Sequence, residues 1–237
     1  MNLVLLEPAE LAAPLPRQDP RARHILDVLR RREGDTFHAG VVDGPIGTAT
    51  LVALGSDALT LSFVPVREPP PLPAVTLVIG LPRPPTARDI LRDATTCGVG
   101  AIHFVATERT DPNYATSNIW RDGEWRRHLL VGAAQAFDTR LPVVTWTHSL
   151  AHALTHAGPG ERLALDNYEA EAHLGRWKPT AGEGPIVLAI GPERGWGPQD
   201  RTRLRDEGAT LLHLGKRVLR VEMAVVAALA ILQARGA

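Results

Sequence analysis

A loop rich in glycine and proline follows an apolar run in the last quarter of the sequence. Residues 190–198 read Ile-Gly-Pro-Glu-Arg-Gly-Trp-Gly-Pro and come directly after the run 186–190. At the carboxyl edge of a parallel sheet, such a loop lies where ligands usually bind, and its glycines let backbone N–H groups approach a ligand closely. A tight strand-to-helix connection also explains the glycines, but it gives no reason for Glu193 between Pro192 and Arg194. The loop therefore predicts a ligand site.

A second loop of unusual composition follows the next apolar run. Residues 214–224 read Leu-Gly-Lys-Arg-Val-Leu-Arg-Val-Glu-Met-Ala, so cationic and apolar side chains alternate before Glu222, at the expected start of the last helix. Arginines in this position suit an anion or a polar substrate. A carboxylate near a helix N-terminus also has a structural use, because it interacts favourably with the helix dipole. Both interpretations fit the loop when it is taken alone.

Positive charge is concentrated in two segments of a chain whose formal net charge is zero. Residues 17–32 contain six arginines against two aspartates, and residues 194–220 contain seven Lys and Arg against three Asp and Glu, an excess of four in each case. Arginine suits forked contacts to phosphate, which favours nucleic acid as a partner. A solvated protein face explains such segments equally simply.

Alternating apolar runs and helical patterns must position the two loops. This alternation is typical of a parallel sheet covered by helices, and hence of an α/β fold. Thr86 is expected to cap the first of these helices and Gly98 to end it. The buried face of that helix is predicted to contain Ile90, Leu91, Ala94 and Cys97. Strands are expected over 75–81, 101–106, 143–146, 162–166, 186–190 and 210–214, and further helices over 198–208 and 222–234.

A proline-rich segment, 65–73, divides the 237-residue chain into two expected domains. Consecutive prolines donate no backbone hydrogen bonds and favour an extended, stiff conformation. We expect one domain over 1–70 and a second over 74–237. In the first, an Arg-rich helix over 20–32 precedes short β-leaning segments of a small sheet or barrel. Those segments are 36–42, 47–54 and 58–66.

Taken together, the two loops resemble those of the small-subunit ribosomal RNA methyltransferase E family of the knotted SPOUT superfamily. The matching motifs are Gly-Pro-Glu-x-Gly from Gly191 and Leu-Gly-x-Arg-Val-Leu-Arg-x-Glu from Leu214. Weaker matches occur at 23–30, at 97–99 and at Glu108-Arg109. The resemblance implies an N-terminal PUA-like β-barrel and a C-terminal trefoil-knotted methyltransferase domain. It also implies a homodimer that methylates N3 of a uridine in ribosomal RNA, free or in the small ribosomal subunit.

The resemblance also implies which residues form the site. S-adenosylmethionine is expected between three loops, and Arg220 and Glu222 are the candidates for catalysis, at the uracil oxygens and at N3. RNA contacts are expected from Arg21, Arg23, Arg30 and Arg217. The expected cofactor-binding residues are Leu165, Ile190, Gly191, Glu193, Gly195, Leu214, Gly215, Val218, Leu219 and Met223.

The sequence differs from the family pattern at a few of the matched positions. Arg194 stands within a family Glu-Gly-Gly, and Val221 and Met223 stand where the family has threonine. Thr96 replaces a family glutamate, and Asp138 ends a stretch that the family writes Gln-Ser-Gly-Arg. A noncatalytic RNA-binding or ribosome assembly factor of the same fold, and a knotted methyltransferase for a different RNA, therefore remain as alternatives.

Other classes of site and location are disfavoured. His148, His152 and His156 recur every four residues, but no metal-ligand pattern such as His-Glu-x-x-His accompanies them, so we expect a partly exposed helix face and no metal. Cys97 has no second cysteine to pair with. No apolar run reaches the roughly 18 to 20 residues that cross a bilayer, and the N-terminal segment lacks a basic region typical of secretion signals. We expect a cytoplasmic protein.

Overall fold

The chain divides into two compact units. A computed structural model describes residues 3–180 and 184–234. The first unit comprises Met1–Pro71 and Ala133–Leu141, and the second comprises Leu72–Gly132 and Pro142–Ala237. The membership of Ala133–Leu141 was not expected from sequence, because these residues continue the helical pattern of the segment before them.

The first unit contains a five-stranded sheet with the order β1-β3-β4-β5-β2. The β1–β3 pair is parallel, and the other pairs are antiparallel. Its core includes Ile25, Phe37, Leu51 and Leu59. The strands are β1 (Val4–Leu6), β2 (Leu15–Pro16), β3 (Thr36–Val41), β4 (Ile46–Leu54) and β5 (Ala58–Arg67), which confirms the three predicted β-segments.

The predicted end of the first helix in this unit was wrong. The arginine-rich helix does not extend to residue 32: α1 (Pro20–Arg23) continues as a π-helical turn over His24–Val28. Arg30 then has a φ of +53°, a left-handed conformation that a helix cannot contain. Strand β5 ends at Arg67, one residue beyond the predicted 58–66, so it overlaps the start of the proline-rich segment.

The second unit is an α/β structure with a seven-stranded parallel sheet of order β10-β12-β9-β11-β6-β7-β8. All six predicted strands are present. The strands are β6 (Val75–Gly80), β7 (Ala101–Val105), β8 (Val143–Thr147), β9 (Glu161–Leu165), β10 (Ala172–His173), β11 (Ile186–Ile190) and β12 (Thr210–His213). The helices are α2 (Pro84–Cys97), α3 (Asn118–Arg121), α4 (Glu124–Ala136), α5 (Leu150–His156), α6 (Pro198–Asp206) and α7 (Val221–Gln233). The last four residues of α4 belong to the first unit.

Strand register brings the ends of three strands to one edge of this sheet. Ile190 is opposite Leu165, and Leu165 is opposite Leu212, so β11, β9 and β12 end at nearly the same level. Because the strands are parallel, the loops that follow them leave from the same edge. The order along the sheet thus places the two loops identified by sequence next to a third, which follows β9.

Helix α2 begins three residues earlier than predicted. It starts at Pro84 with Arg83 at the N-cap, and the Thr86 hydroxyl accepts a hydrogen bond from Arg83 Nε at 3.2 Å. Proline is favoured in the first turn because the N–H it lacks has no partner there. Gly98 ends the helix with a φ of +83°, as expected. Ile90, Leu91 and Ala94 are fully buried, whereas Cys97 is only half-buried.

No helix in residues 3–180 and 184–234 is long and apolar enough to cross a membrane.

Candidate active site

Three loops at the carboxyl edge of the sheet enclose a cavity of about 310 Å³ in the second unit. The first loop, 165–169, follows β9; the second, 190–198, follows β11; and the third, 214–221, leads from β12 into α7. We call this the cofactor cavity, because the resemblance of its loops implies S-adenosylmethionine between them. Much of its lining is backbone and aliphatic side chains, to which the third loop adds arginines and α7 a carboxylate.

Close backbone packing fixes the second loop. A side chain at Gly191 would place its Cβ 3.0 Å from the carbonyl carbon of Gly195, and one at Gly80 would approach Pro192 Cδ to 2.4 Å. Gly195 has a φ of +66°, a region that favours glycine. The glycines of this loop therefore serve a tight turn that also leaves its backbone exposed to the cavity.

The first loop is held by a buried ion pair and by a tryptophan from the second loop. Asp166 Oδ2 accepts a hydrogen bond from Arg201 Nε at 2.7 Å, and both side chains are almost fully buried. Asp166 Oδ1 accepts from the N–H groups of Tyr168 and Glu169 at 2.8 and 2.6 Å. Buried Trp196 donates from Nε1 to the Leu165 carbonyl at 3.0 Å. These contacts couple the first two loops.

Where the second loop enters α6, two carboxylates each accept hydrogen bonds from backbone N–H groups of the other's segment. Glu108, just after β7, accepts hydrogen bonds at Oε2 from the N–H groups of Gln199 and Asp200 at 2.7 and 3.1 Å. Asp200 in turn accepts from the N–H groups of Gly197 and Glu108 at 2.9 and 3.2 Å. Burial raises the pKa of the Asp200 carboxyl, although the two N–H groups oppose the shift. The pair caps α6 and fixes the end of the second loop.

The middle of the second loop has two further contacts. Arg109 Nη1 donates to the Arg194 carbonyl at 2.7 Å. The backbone N–H of Arg83 donates to Glu193 Oε1 at 3.2 Å, and the Arg83 guanidinium lies 3.6 Å from the same oxygen. These contacts come from the loop after β7 and from the start of α2, so all of the loop's partners lie at this edge of the sheet.

The two candidate catalytic residues lie at the start of α7. Arg220 is the N-cap residue and is exposed, and Glu222 is half-buried in the first turn. Both line the cofactor cavity. The place of Glu222 in the first turn of α7 fits the structural interpretation of this carboxylate, and its place at the cavity wall is compatible with the chemical interpretation.

The cavity brings together most of the residues named from the sequence. Arg217 lines it too, whereas Gly215 and Met223 are absent from its lining. Sequence reasoning missed Asp166, Tyr168 and Trp196, which also line it; the aromatic residue inside a glycine loop was the available signal for Trp196. The expected cofactor residues found in the lining are Leu165, Ile190, Gly191, Glu193, Gly195, Leu214, Val218 and Leu219.

The candidate RNA-binding arginines of the first unit differ in their surroundings. Arg23 and Arg30 are exposed. Arg21 forms ion pairs with Glu10 and Asp19 at 2.6 and 2.7 Å. These contacts lower the pKa of both carboxyls and raise the pKa of Arg21. The guanidinium of Arg21 is thus largely occupied within its own unit.

Two of the three histidines in the series lie on a helix as predicted, whereas His148 precedes α5. His152 and His156 are exposed on α5, and their rings stack with centroids 3.8 Å apart. Across residues 3–180 and 184–234, no group of three or more His, Cys, Asp or Glu side chains could hold a metal ion.

Comparison with known proteins places the chain in a family. The RNA methyltransferase domain family matches residues 68–233. The chain is 34% identical over its whole length, and over 92% of the relative, to the ribosomal RNA small subunit methyltransferase E of Treponema pallidum. This chain belongs to that methyltransferase E family.

Other family members extend the likeness to structure. The Synechocystis ribosomal RNA small subunit methyltransferase E is 31% identical, with 86% of this chain and 67% of the relative covered. The methyltransferase E of Neisseria gonorrhoeae, solved bound to S-adenosylmethionine, superimposes with a TM-score of 0.77 at 26% identity, covering 99% of this chain and 98% of its own. The family likeness thus covers both units.

Proposed function

We propose that this protein transfers a methyl group from S-adenosylmethionine to ribosomal RNA of the small subunit. The observation that carries the proposal is the cofactor cavity itself, where three interlocked loops meet Arg220 and Glu222 in a chain of the methyltransferase E family. Its gonococcal relative was solved with the same methyl donor bound.

The residues present fit S-adenosylmethionine. Leu165, Ile190, Leu214, Val218 and Leu219 supply aliphatic surface for the adenosyl group, and the exposed backbone of the second loop supplies N–H and C=O groups for its polar edge. Gly215 and Met223 flank this lining and remain part of the proposed site. When bound, the sulfonium donor supplies an activated methyl group whose bond to sulfur breaks as the acceptor bond forms.

We propose N3 of a uridine as the acceptor, with Glu222 and Arg220 as the residues that act on it. N3 carries a proton at neutral pH, and Glu222 would take that proton as N3 forms its bond to the methyl carbon. The Arg220 guanidinium would stabilise the negative charge that develops on the uracil oxygens. The electron pair of the broken bond stays on sulfur, so S-adenosylhomocysteine leaves as a neutral thioether.

RNA would be held mainly through phosphate contacts. Arg217 lines the cofactor cavity, and Arg23 and Arg30 are exposed on the first unit. Contacts of this kind position RNA without reading its sequence. Because Arg21 is paired with Glu10 and Asp19, we assign it a smaller direct share of RNA binding than its neighbours.

A homodimer is part of the proposal. Three apolar side chains of the third loop and of α7 are exposed: Val218 (79%), which lines the cavity, Met223 (56%) and Val226 (37%). Met223 and Val226 lie on α7, and Val218 lies in the third loop. A second copy of the chain placed on this face would bury them and would complete the wall of the acceptor site.

The fold and location expected from the family belong to the same proposal. We assign a PUA-like barrel to residues 1–70 and a trefoil knot to the methyltransferase domain, 74–237. Strand β12 pairs with β9, and the chain then continues into α7, which packs against α2 and β11. This path of the chain supports the knot. We place the protein in the cytoplasm because its proposed substrate, ribosomal RNA or the small subunit, is found there.

Calorimetry and radiolabelled methyl transfer test the proposal. The wild-type protein should bind S-adenosylmethionine and transfer its methyl group to small-subunit RNA or subunits. Gly191→Ala, which crowds the second loop, should weaken cofactor binding, whereas Gly184→Ala, where a Cβ meets nothing within 4 Å, should not. Failure of the wild-type protein to bind the cofactor, together with retained RNA binding, would favour the noncatalytic assembly factor instead.

A further inference from the structure

A second cavity, of about 230 Å³, lies beside the cofactor cavity in the same unit. The two cavities share four residues: Arg83, Pro192, Glu193 and Arg194. The proposed catalytic pair lines only the cofactor cavity. A ligand in the second cavity therefore lies next to the methyl donor but away from the groups that act on the acceptor.

The second cavity is positively charged. Its lining contains Arg83, Arg109 and Arg194 against Asp111 and Glu193, a net charge of +1. The Asp111 carboxylate accepts a hydrogen bond from a backbone N–H of its own loop, and Glu193 Oε1 lies 3.6 Å from Arg83 Nε. Within the described residues 3–180 and 184–234, neither Arg109 nor Arg194 forms a salt bridge with a carboxylate. Arg109 donates one N–H to the Arg194 carbonyl at 2.7 Å and also interacts electrostatically with Asp200. Its other N–H groups, and the guanidinium of Arg194, face no carboxylate of the described residues within salt-bridge distance and can bind an anion.

The remaining lining suits an aromatic base. Tyr114 is half-buried in a short helical turn, Pro112–Thr116, and its side chain lines the cavity together with Leu81 and Pro192. Aromatic side chains stack on the bases of single-stranded RNA, and arginines beside them bind the connecting phosphates. A tyrosine, two apolar side chains and two arginines without carboxylate partners form such a combination.

We infer that the second cavity binds the RNA nucleotide adjacent to the one that is methylated. Tyr114 stacks on the base of this neighbouring nucleotide, and Arg109 and Arg194 bind its phosphate. The inference rests on the proposed function, because the acceptor nucleotide occupies the cofactor cavity. The RNA strand then crosses the Pro192–Arg194 segment, with one nucleotide on each side.

The first test measures RNA affinity by fluorescence anisotropy with a labelled single-stranded oligouridylate. Tyr114→Ala should weaken RNA binding roughly tenfold, and Tyr114→Phe, which keeps the ring, should restore it. The affinity for S-adenosylmethionine, measured by calorimetry, should stay within about twofold of wild type in both variants. An unchanged RNA affinity in Tyr114→Ala overturns the inference, and so does an equal loss of cofactor affinity, which indicates a structural role.

The second test measures the phosphate contact of Arg194 through the salt dependence of RNA affinity. Arg194→Ala should lower the slope of log affinity against log salt by about 0.7, the value for one lost contact to single-stranded nucleic acid. Arg121→Ala is the matched control, because Arg121 is an exposed arginine, 66% accessible, that lines neither cavity. Equal slopes in the two variants contradict a phosphate contact at Arg194.

Methyl transfer by the wild-type protein separates this inference from the proposed function. If the wild-type protein methylates RNA but Tyr114→Ala has normal RNA affinity and a normal KM for RNA, the second cavity is not a nucleotide site and the proposed function stands. If the wild-type protein binds the oligouridylate through Tyr114 but transfers no methyl group, the proposed function fails and the stacking contact stands alone.

Discussion

Glu222 has a structural role and a proposed catalytic role, which single-turnover kinetics can separate. As a carboxylate in the first turn of α7 it stabilises the helix by about 0.3 to 1 kcal/mol, and as the proposed proton acceptor it would act on the transition state. Glu222→Gln should leave cofactor affinity nearly unchanged and slow methyl transfer by about a hundredfold or more, measured with saturating RNA and cofactor. A rate within about threefold of wild type would correspond to a loss of under 1 kcal/mol of transition-state stabilisation and would contradict the catalytic role.

The sequence predicted the residues whose signal is local, and it missed those whose partners are distant. The loops 190–198 and 214–221 are recognisable in the sequence by glycines in the first and by cationic residues that alternate with apolar ones in the second. Both loops line the cavity. The Asp166–Arg201 ion pair joins residues 35 positions apart, and the Glu108–Asp200 contacts join residues 92 positions apart. No local periodicity reports such pairs, because they form only when parallel strands bring their loops together.

At the scale of single elements, the packing of β6 against the second loop predicts a measurable loss of stability. Gly80→Ala would bring a Cβ to 2.4 Å from Pro192 Cδ and 2.8 Å from its nitrogen, and the loop must move to relieve the clash. Overpacking of this kind costs about 1 to 3 kcal/mol of unfolding free energy and should also weaken cofactor binding. Gly184→Ala is the control, and equal denaturant midpoints for the two variants would contradict this packing account.

The Arg21 ion pairs should make the stability of the first unit depend on pH. The pKa values of Glu10 and Asp19 are lowered by Arg21, so the folded state holds fewer protons on them than the unfolded chain. Their contribution to the free energy of unfolding is fully present above the pKa values of the unfolded chain, about 4. It is lost as the pH falls through the lowered pKa values of the folded state. The melting-temperature difference between wild type and Arg21→Gln should therefore shrink from pH 7 towards pH 3.

The matched control for this pH series is Arg17→Gln. Arg17 is exposed, and its guanidinium donates to the Gly55 carbonyl rather than to a carboxylate. Its effect on melting should be small and independent of pH. A wild-type to Arg21→Gln difference that stays constant down to pH 3 would show that packing, rather than charge, accounts for the stabilisation by Arg21.

Sequence patterns predicted the presence of strands better than the end of a helix. Nine strands of the two sheets were predicted closely, because buried runs and turn residues are strong local signals, whereas the short strands β1, β2 and β10 were missed. The helix expected over 20–32 ends at Val28, since the backbone turns to a φ of +53° at Arg30. Arginine has no intrinsic preference for that conformation, and the turn is closed by backbone hydrogen bonds from Leu29 to His24 and from Arg31 to Ile25, which no side-chain pattern indicates.

At the scale of the whole molecule, the proposed dimer predicts a change of mass in solution. Val226 and Met223 are exposed on one face of α7. Val226→Arg should yield a monomer by sedimentation velocity and should lower methyl transfer, because charge is not tolerated in a close apolar interface. Val143→Arg is the control: Val143 is 60% exposed, on the edge strand β8, and its charge should leave the mass unchanged. A monomeric wild-type protein would contradict the dimer.

The identity of the methylated nucleoside tests the central claim most directly. The purified protein would be incubated with isotopically labelled S-adenosylmethionine and small subunits from cells that lack its gene, and the RNA digested to nucleosides for chromatography and mass spectrometry. The labelled methyl group should be recovered as 3-methyluridine, and Glu222→Gln should lose that product. Label recovered in a different nucleoside, or no label in RNA from a protein that binds the cofactor, would contradict the claim.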